Sequence, residues 1–338
     1  MGNNPDRQAR SMSKERDIKD IAKPFAKEMD EFERYFREEL KSPSGLLTIA
    51  TNYVFRRKGK RMRPLLVLLS ASAVGEITQK TYASATLIEL LHNASIVHDD
   101  VVDETYERRG QLSLFGLWNS RVAVLVGDFF LSRGISLATK GKHYDVLDII
   151  SRTVGDLSEG ELSQIEHARK LDITEGDYYD IIRRKTAALI SACTEAGAVS
   201  AGADDTERAA LAQYGENLGI AFQIRDDMFD YSPKLLVGKP SLNDICEQKL
   251  TLPLIYALGR ADRGERSDLL AAVRRRPRDK KTGQMALDMV LKYCGLDYAE
   301  EKMREYSEKA RQSIGILGAS EAQASLLAIV DYNERRTV

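Results

Sequence analysis

Apolar residues recur at helical spacing along nearly the whole chain. Ile18, Ile21, Phe25, Met29, Phe32, Phe36 and Leu40 fall three or four apart and form one amphipathic face. Pro24 interrupts that stripe, so the regular helix is expected to start there with proline in its first turn. Ser42-Pro43-Ser44-Gly45 reads as a turn. Pro64 opens a helix that is apolar all round through Ala73. Further helices are predicted over residues 82–104, 121–139, 144–170, 178–201 and 206–231. Small residues stud the 178–201 segment (Ala187, Ala188, Ser191, Ala192, Ala196, Gly197, Ala198), which lets neighbouring helices approach closely and implies a buried place. Residues 232–249 lose the periodicity and read as an unusually long loop, the kind that often serves as a lid. Helix resumes beyond Leu250, broken by a basic inter-helix loop at Arg274–Arg278. No strand alternation and no short-period repeat is visible. The pattern predicts a flexible polar leader over residues 1–16 and one all-α domain over 17–338.

Composition narrows the classes. The formal net charge of −1 argues against a nucleic-acid binder, which needs a basic surplus. Three widely spaced cysteines, Cys193, Cys246 and Cys294, argue against a disulfide framework or a zinc site and fit a cytoplasmic protein. No apolar run reaches the roughly 18 residues of a membrane span, the longest being Leu65 to Val74. The N-terminus has no apolar core of a secretory signal.

Two acidic strings carry the chemistry: Asp99-Asp100-Val101-Val102-Asp103 and Asp226-Asp227-Met228-Phe229-Asp230. Each is D-D-x-x-D inside a helical stretch. On a helix the first and last carboxylates share a face, and the middle one lies about 100° round. Like charges so close repel unless a cation sits among them. Hard oxygen donors suit Mg²⁺, which is normally held by one or two carboxylates plus substrate phosphates. Two such clusters facing each other would make a magnesium–diphosphate clamp.

Cations stand near these clusters. Gly59-Lys60-Arg61-Met62-Arg63-Pro64 precedes a helix N-terminus, where free N–H groups and the helix dipole favour phosphate. Arg108-Arg109-Gly110 follows the first acidic motif by about one helical turn, and Arg183-Arg184-Lys185-Thr186 introduces the small-residue helix. His92 lies seven residues before Asp99 and points the same way to within about 20°. Gln223 lies three before Asp226, on the face of the second motif.

GKRMRP, ELLHNASIVHDDVVDE with RRG, AVLVGDFF, EGE-LSQ, RRKTAALI, FQIRDDMFDY, GKP and DICEQKLTLPLIYAL stand in one order between Gly59 and about Leu258. With these motifs the chain resembles the trans-isoprenyl diphosphate synthases of the polyprenyl synthetase family, nearest to long-chain, octaprenyl-type members. The resemblance implies an isoprenoid-synthase-type helical bundle around a deep central cavity, acting as a homodimer. It implies that Asp99, Asp100, Asp103, Asp226, Asp227 and Asp230 bind Mg²⁺ and the allylic diphosphate. Arg108, Lys185, Thr186, Gln223, Lys239 and Lys249 would surround that diphosphate. Lys60, Arg63, His92 and Arg109 would hold isopentenyl diphosphate. The reaction would be ionisation, condensation and elimination, with Lys185, Thr186 and Gln223 stabilising the carbocation. Three positions depart from the family's usual pattern: Leu242 and Gln248 stand where glycine is common, and Phe115 where asparagine is.

Product length is expected to be set beside the first motif. In the family, bulky aromatics at the fifth and fourth residues before it stop the tail early; here these are Ala94 and Ser95. Leu91 and Leu87 lie about 12 and 18 Å from Asp99 along the axis, and Phe129 and Phe130 are candidate distal floor residues. A product of about seven to ten isoprene units is expected, with geranylgeranyl or farnesyl diphosphate as the alternative. A non-catalytic partner subunit often lacks one acidic motif, and a terpene cyclase needs no isopentenyl site; this chain keeps both features. A poorly soluble product suggests transient membrane-surface contact, aided by Arg274–Arg278.

Overall fold

The computed structural model describes residues 17–56, 61–108, 110–231 and 242–336. The leader 1–16, Lys60, Arg109 and Lys239 lie outside these residues. Seventeen α-helices follow one another among the described residues: α1 Ile18–Ala22, α2 Ala26–Glu39, α3 Gly45–Phe55, α4 Met62–Val74, α5 Gln79–Val102, α6 Leu114–Leu117, α7 Ser120–Lys140, α8 Tyr144–Lys170, α9 Glu175–Ile182, α10 Ala188–Ser200, α11 Asp205–Asp230, α12 Asn243–Cys246, α13 Leu252–Arg260, α14 Arg263–Arg275, α15 Lys280–Lys292, α16 Gly295–Ser313 and α17 Glu321–Arg335. The all-α fold expected from periodicity is therefore found. One correction is a two-residue antiparallel hairpin, Glu107–Arg108 with Gln111–Leu112, too short for alternation to reveal.

The described residues form two compact units, one lying within residues 17–149, 193–208 and 317–332 and the other within residues 150–192, 209–316 and 333–336. In the first unit Ile18, Ile21, Phe25, Phe32 and Phe36 are buried, so the apolar stripe read from the sequence is a core face. Pro24 sits in a 3₁₀ turn, Lys23–Phe25, that hands over to α2. Helix α4 is buried from Pro64 to Ala71. Helix α5 begins three residues earlier than expected, because Thr78 and Thr81 form a reciprocal capping box.

Helices α5 and α7 meet without room for side chains at two points. A Cβ on Gly127 would collide with the His98 ring, and one on Gly134 with Leu87 Cδ1. Leu87, Leu91, Ala94 and His98 form one stripe on α5, and Gly127, Phe130 and Gly134 form one on α7. Gly127→Val is expected to destabilise the protein by about 1–3 kcal/mol in equilibrium urea unfolding, because the ring has to be pushed from its site. An unchanged midpoint would show that His98 can swing clear.

Helix α7 also corrects the reading of membrane potential. Its length and composition would allow a membrane crossing, although Gly127-Asp128 and Ser132-Arg133 interrupt the apolar run. Ala123, Val126, Gly127, Phe130, Gly134 and Ala138 are buried in the protein, whereas Val124, Leu125 and Ile135 are exposed.

In the second unit one core gathers Tyr231, Leu242, Ile245, Leu254, Leu269 and Val290. Another gathers Tyr178, Ile182, Ala187, Ile220, Ile224 and Met303. The expected single helix over 178–201 is broken by a π-helical turn, Arg183–Ala187, between α9 and α10. Close packing accompanies it: a Cβ on Gly160 would press on Arg184 Cβ, and one on Gly219 would meet Ala187 Cα at 2.5 Å. Such turns are frequent at functional sites.

The departures from the family pattern are accounted for by packing. Leu242 is buried, and Gly283 makes room for its side chain. Gln248 takes the left-handed backbone (φ 59°) that favours glycine. Its amide offsets that cost by donating to Val273 O and Arg274 O at the end of α14, at 3.2 and 3.4 Å. Phe115 packs on Tyr106, ring centroids 4.9 Å apart.

Candidate active site

The first acidic motif closes α5. Asp103 caps the helix, its N–H donating to Asp99 O at 2.8 Å, so the first and third aspartates keep their i,i+4 relation. Asp99 and Asp103 are exposed and Asp100 is buried. The hairpin returns Arg108 to the motif, where its Nε donates to Asp100 Oδ1 at 2.8 Å. Burial pushes the Asp100 carboxyl upward, against the pull of Arg108.

The second motif, at the end of α11, sorts its carboxylates the same way. Asp227 is buried, while Asp226 and Asp230 are half-buried. Tyr178 Oη donates to Asp227 Oδ2 at 2.7 Å and Gln223 Nε2 donates to Asp227 Oδ1 at 2.7 Å. Thr186 Oγ1, on the π-helical turn, donates to Gln223 Oε1 at 2.7 Å. Asp230 accepts from the backbone N–H of Asn243 and Asp244 at 3.2 and 3.0 Å. Arg336 pairs with Asp226, its guanidinium 4.2 Å from the Phe222 ring centroid.

Lys185 leaves the same turn and meets Glu161 Oε2 at 2.5 Å and Gln164 Oε1 at 3.0 Å, both on α8. Lys249 pairs with Glu247. Lys185, Thr186, Gln223, Asp227, Asp244 and Lys249 line one cavity of about 140 Å³, whose apolar wall includes Ile173, Ile181 and Leu250.

Burial pushes the carboxyls of Asp226, Asp227, Asp230 and Asp244 above the ordinary carboxylate range. Crowding and desolvation of this kind are relieved by a proton or by a bound cation. Among the described residues no group of three or more His, Cys, Asp or Glu side chains is placed to hold a metal ion by itself. That donor set fits a hard cation held by few carboxylates together with phosphate oxygens.

Several expected residues thus come together in the second unit: Lys185, Thr186, Gln223, Asp227 and Lys249. Arg63 and His92 are half-buried in the first unit. Ala94 is fully buried there, and Ser95 Oγ donates to His92 O at 2.9 Å. Phe129 lies beneath the Arg133 guanidinium at 5.7 Å, whereas Phe130 is fully buried against Phe55. Sequence reasoning gave no role to Tyr178, Asp244 or Arg336, nor to Glu161 and Gln164 of EGE-LSQ. Tyr178 precedes Lys185 by seven, which hints at a shared face, but nothing in the sequence announces the intervening π-helical turn.

The polyprenyl synthetase sequence model matches residues 44–290. The chain belongs to the polyprenyl synthetase family. Among its relatives, an all-trans-nonaprenyl-diphosphate synthase (geranyl-diphosphate specific) of Rhodobacter capsulatus is 36% identical over 91% of this chain and 94% of that protein. A short chain isoprenyl diphosphate synthase of Methanothermobacter thermautotrophicus is 33% identical over 94% of this chain and 98% of its own. The crystal structure of a decaprenyl diphosphate synthase from Rhodobacter capsulatus superposes with a TM-score of 0.89 at 33% identity, covering 94% of this chain and 98% of that one. Polyprenyl synthetase relatives thus include both long-chain and short-chain enzymes.

Proposed function

We propose that this polyprenyl synthetase is a Mg²⁺-dependent trans-polyprenyl diphosphate synthase that condenses isopentenyl diphosphate onto an allylic diphosphate such as farnesyl diphosphate. The carrying observation is the sorting of carboxylates. In both motifs the second carboxylate is buried against a protein donor and the first and third are less buried, Asp99 and Asp103 being exposed and Asp226 and Asp230 half-buried. Metal binding is assigned to Asp99 and Asp103 in the first motif and to Asp226 and Asp230 in the second, with Asp100 and Asp227 supporting them from behind. Magnesium, when bound, neutralises charge on the leaving diphosphate. Arg108, Lys185 and Lys249, with Lys239, contribute positive charge for the same oxygens. The Thr186 hydroxyl and the Gln223 amide oxygen offer the negative ends of dipoles to the developing allylic cation. Arg63 and His92, with Lys60 and Arg109, are assigned to isopentenyl diphosphate. No side-chain nucleophile is needed: the isopentenyl double bond attacks, and the departing diphosphate takes the proton.

A long product, about seven to ten isoprene units, is favoured by Ala94, which leaves no bulk where the tail passes α5. Leu91 lines the next turn, and Phe130 suits a distal floor better than Phe129. A twenty-carbon product, with Leu91 as floor, is the alternative that the long-chain relatives do not favour. Residues 17–338 are read as one functional domain of a homodimer. The exposed Val124, Leu125 and Ile135 of α7 give a second copy an apolar face to cover. A cytoplasmic enzyme with passing membrane contact at Arg274–Arg278 completes the proposal.

The test is a radiolabelled condensation assay with Mg²⁺, isopentenyl diphosphate and farnesyl diphosphate, products being resolved by length. The wild type is expected to make a ladder ending at about thirty-five carbons or more, and Ala94→Phe to stop at about twenty or fewer. Wild-type termination at twenty carbons moves the floor to Leu91. Absence of condensation in folded protein removes the enzyme reading.

A further inference from the structure

We propose that Tyr178 and Asp227 form a positioning pair that fixes which end of the Gln223 amide faces Thr186. The inference rests on the reading above that Gln223 meets the developing allylic cation. Both Asp227 oxygens act as acceptors here, Oδ1 from Gln223 Nε2 and Oδ2 from Tyr178 Oη, and an oxygen used so offers the amide no hydrogen in return. Gln223 therefore has to turn its NH₂ toward Asp227 Oδ1, the 2.7 Å contact observed, and its oxygen toward Thr186 Oγ1, also at 2.7 Å. Rotating the amide by half a turn would set its oxygen against the carboxylate. A neutral neighbour would impose no such choice.

Tyr178 completes the device. Its hydroxyl donates to Asp227 Oδ2 at 2.7 Å, so both carboxylate oxygens are engaged. Tyr178 and Asp227 are 3% and 5% exposed, so little water is available to replace either bond. The orientation matters for sign. With the oxygen toward Thr186, the site presents a partial negative charge; flipped, it would present N–H hydrogens and repel a cation. Asp227 thereby does different work from Asp226 and Asp230, although it belongs to the same D-D-x-x-D string. Neither Tyr178 nor Asp227 touches substrate in this scheme; both act through Gln223.

The test compares Tyr178→Phe, Asp227→Asn and Gln223→Ala, singly and with Tyr178→Phe combined with Gln223→Ala, in the full-length protein. Tyr178→Phe keeps the ring and loses one bond to a charged group, so kcat is expected to fall about tenfold with both KM values nearly unchanged. Asp227→Asn can face Gln223 with either end of its own amide and should lose more, on the order of a hundredfold. Adding Tyr178→Phe to Gln223→Ala should cost nothing further, since the group being oriented is gone. The magnesium concentration giving half-maximal rate should stay the same in Asp227→Asn. Calorimetry with a non-ionisable thiolodiphosphate analogue should show unchanged affinity in Tyr178→Phe. Multiplicative losses in the double variant would reduce Tyr178 to a structural role and overturn the proposal. A tenfold or greater rise in the magnesium requirement of Asp227→Asn would make Asp227 a metal ligand instead. A wild type that fails to condense the substrates overturns the enzyme reading itself, before any variant is compared.

Discussion

Arg61→Ala is expected to lower the stability of the protein by about 3–5 kcal/mol in equilibrium urea unfolding. Arg61 stands in the basic GKRMRP string, but its guanidinium is turned into the first unit. Nε donates to Glu33 Oε1 at 2.8 Å and Nη1 to Glu89 Oε1 at 2.5 Å. The three side chains are only 11%, 14% and 9% exposed, so water screens them poorly. The guanidinium also lies 5.4 Å from the Phe36 ring centroid and 5.9 Å from that of Phe55. Removing it takes the close counter-charge from two carboxylates in a poorly hydrated site, which is where the cost arises. Glu33 keeps a longer 3.8 Å pairing with Arg37. The same reasoning forecasts that Arg61→Met combined with Glu33→Leu and Glu89→Leu recovers most of the loss, since a well-packed apolar trio needs no charge balance. A loss below about 1 kcal/mol for Arg61→Ala would mean that the triad behaves as an exposed surface pair.

Asp99→Ala and Asp226→Ala form the second large expectation. Each should cut kcat/KM for condensation on the order of 10²–10³-fold, the scale of losing one electrostatic element aimed at a leaving group. Neither residue is buried, so the fold should survive; unchanged circular dichroism and urea midpoints would verify that. The loss should be partly recovered at raised magnesium if the carboxylate acts by holding the ion. Retention of more than a tenth of wild-type activity by both variants would sink the clamp reading of the two motifs.

The sequence carried the helices well because their pattern is long. The α8 bounds, Tyr144 to Lys170, fall where periodicity placed them, and α7 and α11 extend only one residue beyond the expected bounds at their starts. Local geometry that depends on partners was illegible. The π-helical turn at Arg183–Ala187 lies in a good helix-forming run, and the bare backbones of Gly160 and Gly219 pack beside it. Pairing of Glu107–Arg108 with Gln111–Leu112 is two residues deep and leaves no alternation. Of the site, the acidic motifs, Lys185, Thr186 and Gln223 were readable as chemistry-bearing types at suggestive spacing. Tyr178 was not, because an aromatic residue at helical spacing looks like core until its hydroxyl is seen on Asp227. Arg61 shows the converse: a cation in a phosphate-binding string that serves stability.

The burial of Asp100 and Asp227 has a consequence for how these motifs can change over generations. The about 100° step between neighbouring residues assigns each carboxylate its side of the helix. Single-letter changes at Val101, Val102 or Met228 leave that assignment standing. A one-codon insertion or deletion inside either string does not: an insertion turns the last aspartate to about 140° from the first, near the packed side, and a deletion swings it about 60° to the other side of the first. The two strings should therefore drift in spelling far more readily than in length.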